Sequence, residues 1–346
     1  MKVLLVATMY NEGLKSHGFS YEYHNLFKSL ERVVNPVIVF DFMEVLQQRG
    51  REQMNQALLE TVKYQRPELT IVVPYTDQLI PEMIDEINRY TITVGYFFDD
   101  MWRIEYARFW TSHFSFITSS DINGVQKFRD VGYNNVIYSP FACNHRIFIK
   151  RDLPKRYDVS FVGQYHPYRA WLLLGLKKAA ISVQVWGHGW RTDRLTQDEM
   201  VAVFNQSRIN LNLSNSISWD ARYLLTLARP VKDTLRAWRG TFRALRYPDS
   251  KVREQVKGRH FEINACGSFQ LSYYVEGLER HYRIGDEIAL YASPEELAEK
   301  VCYYLKHEDE REVVAQRGYE RTLREHTMEQ RFRQLFTTLG LSIEIE

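Results

Sequence analysis

Short apolar runs that alternate with helix-patterned stretches constrain this chain more than any other feature. In the first half the runs are Lys2–Ala7, Pro36–Asp41, Leu69–Pro74, Ile92–Phe98, Phe114–Thr118 and Val136–Tyr138. Between them, Tyr21–Arg32, Arg51–Gln65, Ile80–Arg89 and Ile122–Val131 carry apolar residues at helical spacing. A strand that is apolar throughout needs cover on both faces, and helices between successive strands supply it. The pattern predicts a parallel, Rossmann-like sheet. It lacks Gly-x-Gly-x-x-Gly, so nothing supports dinucleotide binding. A second series follows, with strands at Asp158–Gly163, Val183–Trp186 and Ile209–Ser214 and a helix at Ala170–Ala179. Tyr273–Tyr282 and Glu287–Tyr291 continue the sheet and its loops, and Glu295–Lys306, Asp309–Glu325 and Met328–Leu339 read as helices.

Two such series fit a chain of 346 residues, long for a single core. With 45% apolar and 25% charged residues it has an ordinary globular composition, and a net charge of +2 argues neither for nor against an anionic partner. Cys143, Cys266 and Cys302 are few, odd in number and widely spaced, which fits reduced thiols in the cytoplasm. Val3–Ala7 is too short an apolar run for a signal peptide, and no segment approaches membrane-spanning length. A cytoplasmic protein is expected.

Lys257-Gly-Arg-His-Phe-Glu-Ile-Asn-Ala-Cys-Gly-Ser-Phe-Gln-Leu271 concentrates the chemistry. Lys257, Gly258 and Arg259 precede a helix start, where unpaired N–H groups and two cations would welcome an anion. Glu262 follows one turn later, able to accept bonds from two neighbouring hydroxyls. Gly267 can close the helix in a left-handed conformation. Phosphates at the turn and a diol at the carboxylate suggest a nucleotide. A solvated basic turn with a surface Glu is the alternative reading.

Arg259–Leu271 resembles the donor-site segment of CgeB-like (spore-maturation) proteins, a branch of the GT-B glycosyltransferases. The likeness continues through Gly285–Tyr291, Ser293–Leu297, Gly318–Arg321 and His326–Phe332, and upstream to Asp158–Gly163, Gly187–Trp190 and Ser207–Ser214. It implies an α/β chain of GT-B architecture, two Rossmann-like domains facing a cleft. Residues 1–150 would form the acceptor-side domain and 151–327 the nucleotide-sugar domain, with a basic helical insertion at 217–256. Residues 328–346 would cross back to the first domain as a helix. The resemblance also implies site residues. Gly13, beside Gly18, lies in a loop where GT-B enzymes approach the donor phosphates. Arg169 at a helix start would hold the pyrophosphate, an ordinary surface arginine being the other reading; His188 is displayed between two glycines, with a tight turn carrying an exposed histidine as the alternative. Asn210, Asn212 and Asn215 at a strand end suit a base edge. Lys257, Arg259, His260, Glu262 and Gly267 complete the donor set, with Glu262 on the ribose. Retaining relatives carry two glutamates with seven residues between them, and Glu254 and Glu262 have that spacing. Glu254 would then touch the donor sugar.

Asp99 and Asp100 end a strand of the first domain and are the catalytic candidates, Asp100 first; capping of the following helix is the other reading. Two adjacent carboxylates supply too few ligands for a metal, and GT-B enzymes generally work without one, so no metal and no cofactor is expected. The resulting expectation is a metal-independent transferase that moves a sugar, with retention, from a nucleoside-diphosphate sugar such as a UDP-sugar. The acceptor would be a glycan, a lipid-linked sugar or a protein. Rival readings are a sugar-nucleotide 2-epimerase of GT-B fold, a catalytically dead sensor, and a nucleic-acid-binding protein. The last would use residues 217–259, where eleven Lys or Arg face four Asp or Glu. Those arginines lack interleaved aromatic platforms, so no nucleic acid is expected. Within that segment Val231, Leu235, Trp238, Phe242 and Leu245 line one helix face, bordered by Lys232, Arg236, Arg239, Arg243 and Arg246. Such a helix at 229–247 either lies on an anionic membrane or packs its stripe within the protein.

Overall fold

The computed structural model describes residues 1–98, 103–192, 194–214, 218–225, 234–235, 238–239, 242 and 254–342. Asp99, Asp100, Asn215 and most of the basic segment lie outside them. The chain divides into two compact units, Met1–Asn144 with Thr327–Glu346, and His145–His326.

The first unit is a six-stranded sheet, parallel throughout: β1 Val3–Ala7, β2 Val37–Asp41, β3 Leu69–Val72, β4 Ile92–Tyr96, β5 Phe116–Ser119 and β6 Val136–Tyr138, in the order β2-β1-β3-β4-β5-β6. β1 is buried at every position because it feeds two cores. Leu4 and Val6 pack with Phe40, Leu58 and Trp110, whereas Val3, Leu5 and Ala7 face Leu26, Leu30 and Val73. Helices α1 Phe42–Arg49, α2 Arg51–Gln65, α3 Pro81–Ile87, α4 Ile104–Trp110 and α5 Ile122–Asp130 join the strands. The terminal helix Met328–Thr338 belongs to the second core, where it buries Met328, Phe332, Leu335 and Phe336. Each such side chain contributes roughly 1.5–3 kcal/mol on burial, which explains why the tail folds with the chain's opening residues.

Two local outcomes in this unit differ from the sequence expectation. The helix at Tyr21–Arg32 is instead a wide π turn, Glu22–Phe27, running into one α turn, Lys28–Leu30. α1 was not expected. Asp41 caps it by accepting from the Met43 and Glu44 amides, and its other oxygen takes the Met9 amide from the loop after β1. Gly50 stops it at φ +80, and α2 begins at the next residue.

The second unit is a five-stranded parallel sheet: β7 Tyr157–Val162, β8 Gln184–Trp186, β9 Ser207–Asn212, β10 Gln270–Tyr273 and β11 Ala289–Tyr291, in the order β11-β10-β9-β7-β8. Its helices are α6 Pro167–Lys178, α7 Gln197–Gln206, α8 Arg259–Ala265, α9 Pro294–Lys306 and α10 Glu308–Glu325. α7, absent from the expectation, opens on a reciprocal capping box between Thr196 and Glu199. α10 passes close to the loop before β11 and to α8 because Gly318 has no side chain: a Cβ there would lie 2.3 Å from the Glu287 carbonyl oxygen and 3.1 Å from the Asn264 amide of α8. Both units are the Rossmann-like parallel sheets that the alternating pattern predicts.

Candidate functional site

Ligands of parallel α/β sheets gather outside the carboxyl ends of the strands, and in the second unit those ends carry the charged groups. β9 runs out at Leu213 and Ser214, β7 leads through Gly163–His166 into α6, and α8 precedes β10. Arg169 crosses two of these ends. Its Nε donates to the Leu213 carbonyl at 2.7 Å and its Nη1 to the Gln164 carbonyl at 2.8 Å. Arg169 does lie at a helix start, as expected. α6 begins at Pro167, capped by His166, so Arg169 lies within the first turn and spends two donors on backbone. Burial makes its charge harder to keep, and the Glu254 carboxylate opposes that effect.

The turn after β8 is bound to the same loop. The Tyr165 amide donates to the His188 carbonyl at 2.8 Å, and the Trp190 indole donates to the Gly163 carbonyl at 2.8 Å. Gly187, at φ +137, allows this approach, since a Cβ there would stand 2.2 Å from the Gly163 oxygen. The His188 side chain is exposed.

α8 has seven residues, so its dipole offers little, and the side chains carry the charge. Arg259 Nη1 lies 2.8 Å from a Glu262 oxygen and its guanidinium stacks over the Phe204 ring at 5.1 Å. Glu262 is buried; desolvation pushes its pKa up and Arg259 pulls it back. Lys257 is half-buried just before the helix.

His260 is placed differently from its expected role in donor binding. It is fully buried, its pKa pulled down to about 4 by burial, with Nδ1 within 3.1 Å of the Lys257 amide and 3.0 Å of the Lys257 carbonyl. It braces the basic turn from inside. Asn210 and Asn212 also face inward rather than towards a base. Asn210 joins β9 to Ser160 and to the Phe204 and Phe269 carbonyls, and Asn212 donates to Gln270 at 2.9 Å. Gln270 in turn donates to the His260 carbonyl and to Asn264, so a buried polar ladder ties α8 to the sheet. Gly267 ends the helix at φ +62, as its position suggests, against the Lys150 side chain.

In the first unit Gly13, at φ +71, accepts from the Gln47 amide at 3.1 Å, and a Cβ there would press on Met43 and Gln47. Among the described residues no group of three or more His, Cys, Asp or Glu side chains is placed to share a metal ion. Two tyrosines that the sequence reading left out, Tyr273 and Tyr291, stand together in the second unit. Tyr273 and Tyr291 end adjacent strands in direct register, their rings 5.6 Å apart. Glu254 acts on both phenols and Arg169 on Tyr291. Their signal in the sequence was a tyrosine at the end of each of the last two apolar runs.

Comparison with known proteins follows this geometry. Residues 169–337 match a family model described as glycosyl transferase-like. Spore protein CgeB of Bacillus subtilis (strain 168) is 22% identical over 227 residues, 62% of this chain and 64% of the relative, so the match spans just under two thirds of that protein. Sucrose-phosphate synthase from Thermosynechococcus elongatus superposes with a TM-score of 0.63 at 9% identity, covering 98% of this chain and 99% of the other. Anabaena Alr3699/HepE in complex with UDP-glucose gives the same score, identity and coverage. The fold is that of the GT-B class, and residues 169–337 are similar in sequence to its glycosyltransferases. Within that class its sequence is similar to CgeB.

Proposed function

We propose that the chain transfers a sugar from a nucleoside-diphosphate sugar to a glycan, lipid-linked or protein acceptor, with retention and without a metal ion. The observation that carries this reading is the buried Glu262 carboxylate paired with Arg259 in α8, with Glu254 eight residues upstream. Glu262 is 2.8 Å from Arg259, and Glu254 acts on Arg169. In this reading Glu262 accepts both ribose hydroxyls and Glu254 meets the donor sugar. Lys257 and Arg259 balance the diphosphate as charge develops on it, usually the largest contribution to such chemistry. Asn215 and His188 complete the donor contacts. The acceptor and the catalytic carboxylate, Asp100, belong to the first unit. The HepE complex with UDP-glucose supports a uridine donor, and the resemblance to retaining relatives supports retention.

A peripheral membrane contact through residues 229–247 is a second proposal. Leu235 and Phe242 are 59% and 60% exposed, in a segment rich in Lys and Arg, which favours an acceptor held at a membrane face. Among the described residues no helix is long and apolar enough to cross a membrane.

The test is a thermal-shift screen of nucleoside diphosphates and their sugars, followed by turnover with the best donor. A donor at a hundred times its dissociation constant should add about 2.7 kcal/mol of stability. No shift with any sugar nucleotide would overturn the proposal. Release of an epimer from donor alone would move the chain to the epimerases.

A further inference from the structure

We propose that the first unit carries a sugar-binding subsite at the ends of β1 and β3. There the Tyr75 ring takes the apolar C–H face of an acceptor pyranose, and the Asp77 carboxylate accepts from its hydroxyls. The inference rests on the transfer reading above and deepens it by naming the acceptor's chemistry. β1 and β3 are neighbours in direct register, from Val3 beside Leu69 to Val6 beside Val72. Their connections leave on opposite faces. Beyond β1 the chain packs Leu26 and Leu30 into one core, and beyond β3 it packs Leu79, Ile84 and Ile87 into the other. The two loops therefore part at the strand ends, where parallel sheets open a crevice for a ligand.

The loop after β3 is fixed at five successive carbonyls, each accepting from a side chain outside the loop tip or across it. Arg103 Nη2 donates to Tyr75 at 2.6 Å, and the Tyr106 hydroxyl donates to Thr76. Arg51 donates twice, to Asp77 at 2.6 Å and to Leu79 at 2.8 Å, and Asn55 takes Gln78 between them at 2.9 Å. Asn55 also accepts from the Ile80 amide at 2.9 Å, and Gln78 accepts from the Thr76 amide at 2.7 Å. So much bracing of an irregular segment leaves side chains as its display. Tyr75 is 50% exposed, and Thr76 and Asp77 are exposed beside it. Side chains held on a fixed backbone are the preorganised arrangement that binding needs. Their chemistry selects the ligand. Arg51 and Arg103 turn donors to carbonyls and the tip carries a carboxylate, so an anion gains little there. An open aromatic ring next to a carboxylate suits a neutral polyol with one apolar face, which a pyranose is. The Thr76 hydroxyl donates to Asp77 at 3.1 Å and holds that carboxylate in place.

The experiment uses the full chain and two kinds of ligand. Saturation-transfer NMR reads the subsite with the methyl pyranosides of glucose, galactose, mannose and N-acetylglucosamine, and calorimetry with UDP-glucose reads the donor site. Wild type should bind at least one pyranoside. Tyr75→Ala and Asp77→Asn should each weaken it about tenfold, the latter being the size of one hydrogen bond to a charged group, and Tyr75→Phe should keep it. UDP-glucose affinity should stay within about twofold throughout, since its proposed contacts lie in the other unit. Both side chains are exposed and the carbonyl bonds do not involve them, and urea unfolding verifies that each variant folds. No pyranoside bound by wild type, or equal binding by Tyr75→Ala and Asp77→Asn, would overturn the inference and leave the donor reading intact. A wild-type chain that binds no sugar nucleotide would overturn the transfer reading and the acceptor role with it.

Discussion

Arg259 and Glu262 form an ion pair of 2.8 Å across one turn of a seven-residue helix, with the carboxylate buried and the guanidinium partly open. A buried carboxylate is costly unless it is matched, and here one cation serves it. In the proposed donor complex the same arginine reaches the diphosphate and Glu262 takes the ribose hydroxyls. Glu262→Ala should weaken nucleoside-diphosphate binding about tenfold or more, since hydrogen bonds to a charged acceptor contribute about 1.5–3 kcal/mol. Calorimetry checks it, and unchanged affinity in a folded variant would end the assignment.

Asp100→Asn should cut turnover and leave donor affinity nearly unchanged, because every proposed donor contact except Gly13 lies in the other unit. Activity should also survive excess EDTA. Loss in EDTA restored by manganese would make Asp99 and Asp100 metal ligands and replace the proposed mechanism.

His260 gives the fold an acid sensitivity. Its ordinary pKa of 6.5 falls to about 4 in the folded chain because burial resists charging. The unfolded chain therefore takes up the proton first. The contribution is complete above pH 6.5 and drains away as the pH falls from 6.5 towards 4, by up to about 3 kcal/mol. Urea midpoints measured at pH 7.5 and pH 5 should separate in wild type and converge in His260→Gln. Equal separation in both would assign the acid loss to other groups.

Two glycines should respond in opposite directions. Gly187→Ala forces a side chain into φ +137 and against the Gly163 carbonyl, and should destabilise by about 2 kcal/mol or more. Gly175 lies exposed within α6 with nothing near its missing Cβ, so Gly175→Ala should stabilise by about 0.5–1 kcal/mol. Urea unfolding measures both.

The parallel sheets were legible because apolar runs such as Val3–Ala7, buried at every position, can only be strands covered on both faces. α2 was read to the residue, since its apolar spacing is a local feature. α1 was missed because Asp41 looks like a strand end and gives its capping role only through contacts with Met9, Met43 and Glu44. α7 was missed although Thr196-x-x-Glu199 spells its capping box. At the site, residue types alone do not tell a ligand contact from a brace. Asn210, Asn212 and His260 are polar groups in the expected segments, and the fold turns all three inward.

The basic segment offers the last prediction. Trp238 and Phe242 stack at 5.9 Å, one helical turn apart, and Leu235 and Phe242 are largely exposed. Arg239 lies between them, and Arg236 and Arg243, at the same spacing, lie outside the described residues. Exposed aromatic and aliphatic side chains cost little at the boundary between lipid headgroups and acyl chains, where the apolar part is buried and the cations meet phosphate. Each basic residue near an anionic surface contributes about 1 kcal/mol, a term that salt screens. The full chain should therefore float with vesicles containing phosphatidylglycerol at low salt and be released as salt rises. Changing Arg236, Arg239 and Arg243 to Glu should abolish flotation without altering UDP affinity. Equal flotation by that variant, or none by wild type, would leave the stripe as a packing surface within the protein or between copies of it.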